Sequence, residues 1–91
     1  MTAEHRAVVK IVNKKGLHAR ASAKIVEAAA RFQSHIIVSK DGQRVDARSI
    51  MGLMMLAASP GTEVTIEAEG VDAEAALAAI VALAKAKFGE D

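Results

Sequence analysis

Apolar and polar residues alternate with a period of two over residues 7–12. Ala7, Val9 and Ile11 fall on one side and Val8, Lys10 and Val12 on the other, as in a strand with one buried face. A turn over residues 13–16 follows, and then the period changes. Ser22, Ile25, Val26 and Ala29 recur at i, i+3, i+4 and i+7 while Lys24, Glu27 and Arg31 fall elsewhere, which predicts an amphipathic helix starting at Ala19 and closed by Phe32. Residues 36–39 and 43–47 flank Asp41-Gly42, a dipeptide suited to a type I′ hairpin turn because both residues tolerate positive φ. This hairpin turns Ile36, Val38, Val45 and Ala47 inward and leaves Ile37, Arg44 and Asp46 outside. Ser49 is a good cap for a short helix over 50–57. After the Ser59-Pro60-Gly61 turn, Val64, Ile66 and Ala68 alternate with Glu63, Thr65, Glu67 and Glu69 in a last strand, which Gly70 ends. The final helix has Asp72 as its cap, Glu74 near its positive end, Lys85 and Lys87 near its negative end, and Gly89 at C′. Its buried stripe is Leu77, Ile80, Val81, Ala84 and Phe88.

The order strand, helix, strand, strand, helix, strand, helix, with one apolar face per strand, predicts an α+β fold. Four antiparallel strands form a sheet covered on one side by helices, as a single domain over residues 1–91. The short helix is unusual. Ile50, Met51, Leu53, Met54, Met55 and Leu56 leave it no polar face, more than a small domain can bury. Leu53 and Leu56 are the core pair, which leaves Ile50, Met51 and Met54 as an adaptable apolar docking surface.

Charge is balanced in total, with 12 Lys and Arg against 11 Asp and Glu, but not in distribution. Lys14, Lys15, Arg20, Lys24 and Arg31 are offset only by Glu27, so this end of the molecule suits an acidic protein partner, with Lys24 among the contacts. Two Phe and no Tyr or Trp provide no stacking platform for bases, which argues against nucleic acid. There is no Cys, so neither a disulfide framework nor a thiolate metal site is expected. The apolar runs at 51–58 and 75–84 fall short of the ~18 residues a membrane span needs, and the first residues lack the apolar core of a signal peptide. A cytoplasmic protein that engages no membrane is expected.

The chemistry concentrates at Gly16-Leu17-His18-Ala19-Arg20. Gly16 permits a sharp entry, Leu17 can bury beneath the turn, and His18 falls at the N-cap of the first helix. There the unpaired amides of Ala19, Arg20 and Ala21 and the positive end of the helix dipole favour an anion carried by the imidazole. Arg20 adds a planar fork of donors matched to phosphate or carboxylate.

The string G-L-H-A-R followed by S-A-K-I-V closely resembles the active-site segment of HPr, the histidine phosphocarrier of the bacterial phosphoenolpyruvate-dependent phosphotransferase system. The resemblance resumes at Asp41-Gly42, runs through R-S-I-M-G-L-M-M-L from Arg48 and continues over G-T-E-V-T-I from Gly61, so it covers nearly the whole chain. It implies an open-faced sandwich in which His18 takes a phosphoryl group through Nδ1 from enzyme I and hands it to an enzyme IIA or IIB protein. The chain would then be a covalent intermediate rather than a stand-alone enzyme, working without a metal or cofactor, and a monomer by default. Ser49 matches the serine that a dedicated HPr kinase/phosphorylase modifies in many HPr proteins. One departure is Ala21, where HPr proteins usually carry proline; alanine keeps an N–H that proline would remove. Two other readings share these residues: a non-catalytic regulatory protein acting through Ser49 and the Met-rich helix, and a small module that clamps an anionic metabolite without covalent chemistry.

Overall fold

β1 (His5–Lys10), α1 (Ala19–Ala29), β2 (His35–Lys40), β3 (Gln43–Asp46), α2 (Ile50–Met55), β4 (Glu63–Glu69) and α3 (Ala73–Lys85) follow one another in the expected order, and a 3₁₀ turn over Lys87–Gly89 comes after α3. The structure, a computed structural model, describes residues 5–90. The strands form one antiparallel sheet in the order β1-β4-β2-β3.

Register explains why a single face is apolar. Ala7 pairs with Ile66, Ile66 with Val38 and Val38 with Val45, so one row crosses all four strands, and Val9 pairs with Val64 beside it. The neighbours Val8, Lys10, Ser39 and Thr65 belong to the other, open face. β1 starts earlier than the alternation suggested and ends at Lys10, yet Ile11 stays buried and bonded through Thr62 and Gly61. Asp41 and Gly42 both take positive φ, at 51° and 82°, as the type I′ turn requires.

The helices close the apolar face. α1 buries Ala21, Ser22, Ile25 and Ala29, whereas Val26, expected in the stripe, is half-buried. The end of α1 and the loop after it are held from far along the chain, since Arg48 donates to Ala29 O, the last carbonyl of α1, at 3.1 Å, and to the loop carbonyls Phe32 O at 2.6 Å and Ser34 O at 3.3 Å. Orphan carbonyls at a helix end need such partners, and the guanidinium serves several at once.

Two helix ends and one cap differ from those read in the sequence. α2 stops at Met55 rather than running on to Ala57, because Ala57 turns left-handed at φ 52° and presents Ala58 to the loop that carries His18. Asp72 precedes α3 but does not cap it with its side chain. Its carboxylate instead accepts from Gln33 N at 3.0 Å, from Ser34 N at 2.9 Å and from Ser34 Oγ, tying the start of α3 to the loop before β2. The Ser34 hydroxyl, followed by the Gln33 amide, holds the Asp72 carboxyl below its ordinary range. α3 itself ends at Lys85, so Lys87 and Phe88 lie outside it. Lys87, Phe88 and Gly89 all take positive φ (57°, 55° and 75°), which folds the chain back toward α1. Phe88 is still buried, at 1 % exposure, but from this turn rather than from the helical stripe. Within α3, Ala73, Ala76, Ile80 and Ala84 are buried, while Leu77 and Val81 pack partly exposed at the margin of the core.

No described helix is long and apolar enough to cross a membrane.

Candidate functional site

The turn before α1 is fastened on two sides. Gly16 sits at φ 65°, and a Cβ there would lie 2.4 Å from Ala58 O, so the position demands glycine for both conformation and space. Leu17 is buried, as its place beneath the turn predicts, and its N–H donates to the same Ala58 O at 2.9 Å. On the other side, the wholly buried Asn13 donates from Nδ2 to Gly16 O at 2.9 Å.

His18 is the N-cap of α1, with extended backbone (φ −75°, ψ −178°) and no side-chain capping bond. The first helical hydrogen bond runs from Ser22 N–H to His18 O at 2.9 Å. The amides of Ala19, Arg20 and Ala21 therefore precede the helical ladder, as N-terminal donors do. No acidic residue occupies the first turn of α1 to offset the positive end of its dipole. Ala21 itself packs in the core at 0 % exposure, so its methyl anchors the first turn while its N–H stays on the helix end.

The imidazole reaches outward to a residue that sequence reasoning did not single out. Its Nε2 lies 2.6 Å from Glu90 Oε2. The other oxygen of that carboxylate, Oε1, accepts from Asn13 Nδ2 at 2.9 Å. The Asn13 hydrogen bond, reinforced by His18 and by the positive charge of Arg20, holds the Glu90 carboxyl below its ordinary range. Glu90 comes 72 residues after His18, and nothing local announces the pairing. Asn13, three residues before the glycine, is the one local sign, since an Asn side chain that bonds a nearby carbonyl is a common way to brace a turn.

Arg20 is exposed and lines an open hollow of about 440 Å³ together with Lys14, Lys15, Lys24, Gly89 and Glu90. Lys24, read as a partner contact, has its ammonium on Phe88 O at 2.6 Å, where it pins the turn after α3. A second, shallower depression of about 320 Å³ is lined by Lys15, Leu17, His18, Met54, Ala57, Ala58 and Ser59. It makes the imidazole continuous with the exposed side of α2. Leu53 and Leu56 are buried, whereas Ile50, Met51 and Met54 are exposed, and Met55 joins them at 65 %. Ser49 caps α2, its Oγ accepting from Gly52 N at 3.0 Å; it stands at the far end of that helix and lines neither hollow. His35 lies apart at the start of β2, 3.5 Å from Asp46 Oδ2. His5 begins β1.

Comparison with known proteins places this geometry. The family model described as "PTS HPr component phosphorylation site" matches residues 5–86. The phosphocarrier protein HPr of Cupriavidus necator is 52 % identical over 80 residues, 88 % of this chain and 90 % of that protein. The crystal structure of HPr from Thermoanaerobacter tengcongensis superposes with a TM-score of 0.91 at 47 % identity, covering 96 % of this chain and 98 % of the other. A second structure from that organism, described as an HPr dimer, gives a TM-score of 0.76 at 50 % identity over 90 % of this chain and 94 % of the other. A match that spans nearly the whole chain, in sequence and in backbone alike, means that this chain belongs to the HPr family, the phosphocarriers of the phosphotransferase system.

Proposed function

We propose that His18 accepts a phosphoryl group through Nδ1 from the phosphohistidine of enzyme I and passes it to a histidine or cysteine of an enzyme IIA or IIB protein, in the cytoplasm. The observation that carries this reading is the placement of a partly exposed imidazole at the N-cap of α1, ahead of three amides outside the helical ladder and beside Arg20. Transfer runs in line, and the equatorial oxygens of the moving group need donors that lie in place before it arrives. The first-turn amides of Ala19, Arg20 and Ala21 and the Arg20 guanidinium are such donors. A carrier must release what it takes, and a site at a helix end, open on two shallow hollows, admits donor and acceptor proteins in turn. All of these groups come from one chain, so a single copy suffices. Incubation with phosphoenolpyruvate and enzyme I, followed by mapping of acid-labile phosphate, tests the assignment: label on His18 supports it, and an unlabelled protein refutes it.

Arg20 acts on the moving charge rather than on the fold, because its side chain is exposed and lies off the buried face of α1. Arg20→Lys keeps the charge and loses the fork. Transfer is expected to slow roughly tenfold, the equivalent of one charge-assisted hydrogen bond of ~1.5 kcal/mol, with unchanged thermal stability. Equal rates for the two proteins would remove Arg20 from the transfer step.

The exposed side of α2 is the docking surface in this reading, and Ser49 at its start is a second phosphorylation site that regulates docking through HPr kinase/phosphorylase. Methionines at 51 and 54 adapt to different partners. A phosphate on Ser49 would bring about two negative charges to the rim of the patch, facing a partner whose complement to Lys14, Lys15 and Arg20 is acidic. Ser49→Asp is therefore expected to weaken transfer from enzyme I, more at low than at high ionic strength, because screening shortens the reach of the repulsion. Ser49→Ala transfers normally and loses only a cap worth roughly 1 kcal/mol. Rates for both variants at two salt concentrations decide the matter: Ser49→Asp as fast as the parent at low salt contradicts the coupling.

A further inference from the structure

Which nitrogen of His18 is left to react depends on what holds the other. Glu90 Oε2 meets Nε2 at 2.6 Å, and the carboxylate is fixed where it stands. The same Asn13 Nδ2 that braces the histidine turn through Gly16 O also holds Glu90 Oε1, each at 2.9 Å, so clamp and turn are one construction. The approach of Glu90 is set by the buried Phe88 ring and by Lys24 Nζ on Phe88 O at 2.6 Å. Lys14, Lys15, Arg20 and Lys24 all line the hollow next to Glu90, yet the hydrogen bonds of its carboxylate go to Asn13 and to the imidazole. An ionised carboxylate only accepts hydrogen bonds, so Nε2 is the nitrogen that carries hydrogen. In a neutral imidazole the lone pair then resides on Nδ1.

We infer that Glu90 is a positioning residue for phosphoryl transfer: it keeps neutral His18 in the Nε2–H tautomer with Nδ1 as the nucleophile, and it pairs with the ring cation that exists while the phosphoryl group is aboard. The inference rests on the reading of His18 as the acceptor. The step balances. The Nδ1 lone pair forms the new N–P bond as the P–N bond to a donor phosphoimidazolium breaks, its electron pair returning to the donor nitrogen, so that ring leaves as neutral imidazole. No proton leaves His18. Its ring now bears phosphorus on Nδ1 and hydrogen on Nε2, and its positive charge lies beside the Glu90 carboxylate. Because Nε2 keeps its hydrogen, His18 departs as a neutral imidazole in the onward transfer, and the carrier can pass its load in either direction.

Long-range nitrogen–proton NMR on the full chain, uniformly labelled with nitrogen-15 and unphosphorylated at a pH where the imidazole is neutral, reads the tautomer directly. The parent is expected to show Nε2–H alone. Glu90→Ala is expected to show a mixture of tautomers, and Glu90→Gln, whose amide oxygen still accepts, is expected to keep Nε2–H. Transfer from phosphorylated enzyme I is expected to fall roughly tenfold or more in Glu90→Ala, the order of loss seen when the partner that orients a metal-bound histidine is removed, and less in Glu90→Gln. A parent with hydrogen on Nδ1 overturns the inference, as does a Glu90→Ala protein with the parent's tautomer and rate. Faster transfer by Glu90→Ala overturns it too, because the carboxylate would then be an obstruction. If enzyme I fails to label the parent at all, the carrier reading falls while the tautomer measurement still decides the role of Glu90.

Discussion

Loss of all acid-labile labelling by enzyme I and phosphoenolpyruvate is the expected result of replacing His18 with alanine, the largest functional effect foreseen for any single substitution. The protein around the missing ring is expected to stand. His18 makes no capping bond for α1, its backbone carbonyl still receives Ser22 N–H, and its ring, 27 % exposed, bonds Glu90, whose carboxylate keeps its hydrogen bond from Asn13 when the ring is gone. A substitution of that kind changes stability by about 1 kcal/mol or less. The other two histidines offer no substitute: His35 lies at the start of β2 with 63 % of its side chain exposed, and His5 at the start of β1, so neither stands at a helix N-terminus. Label that persisted in His18→Ala, or that mapped to His5 or His35 in the parent, would show the acceptor to be misassigned.

Phe88→Ala is expected to have the largest effect on stability, about 3–5 kcal/mol by urea denaturation, from the lost transfer of a buried ring and the cavity left behind. Phe88 heads the fully buried side chains, at 1 % exposure, and a domain of this class holds only about 5–15 kcal/mol in reserve. The substitution also reaches the site. Phe88 sits in the left-handed turn whose carbonyl receives Lys24, two residues before the carboxylate beside His18. Measured under conditions where the variant is still folded, transfer is expected to drop as in Glu90→Ala. Phe88→Leu, which keeps most of the buried volume, recovers most of both losses. An alanine variant with the parent's denaturation midpoint would show that the ring does not anchor this segment.

Features held by neighbours in sequence were legible in it. The Asp41-Gly42 turn, the Ser49 cap, the entry through Gly16 and Leu17, and the exposure of Ile50, Met51 and Met54 each follow from a residue type and its immediate spacing, and each is found as read. Features built by distant partners were not. Asp72 has the right identity and place for a helix cap, but the backbone amides of Gln33 and Ser34 compete for its carboxylate and win. Gly89, read as the C′ glycine of α3, lies beyond the helix end at Lys85 in a separate turn, and the reversal begins already at Lys87 and Phe88, residue types that rarely take positive φ and do so here where burial of the ring rewards it. The turn that begins there brings Glu90 to the imidazole, so the helix, the amides and Arg20 were visible in the sequence while the carboxylate was not. Met55, exposed alongside the three residues read as the patch, shows that helical spacing gives the buried side of α2 more sharply than the limits of its exposed side.

Ala58 O receives Leu17 N–H, and Ala58 lies just beyond the left-handed Ala57 that ends α2. The amide of Leu17 can exchange its hydrogen with solvent only when the histidine turn parts from that loop, so its exchange rate is a clock for this one motion. A protein bound across α2 and the imidazole would hold both sides of that hydrogen bond together. Slower exchange at Leu17 would then register an encounter with a protein partner, even where no phosphoryl group has moved.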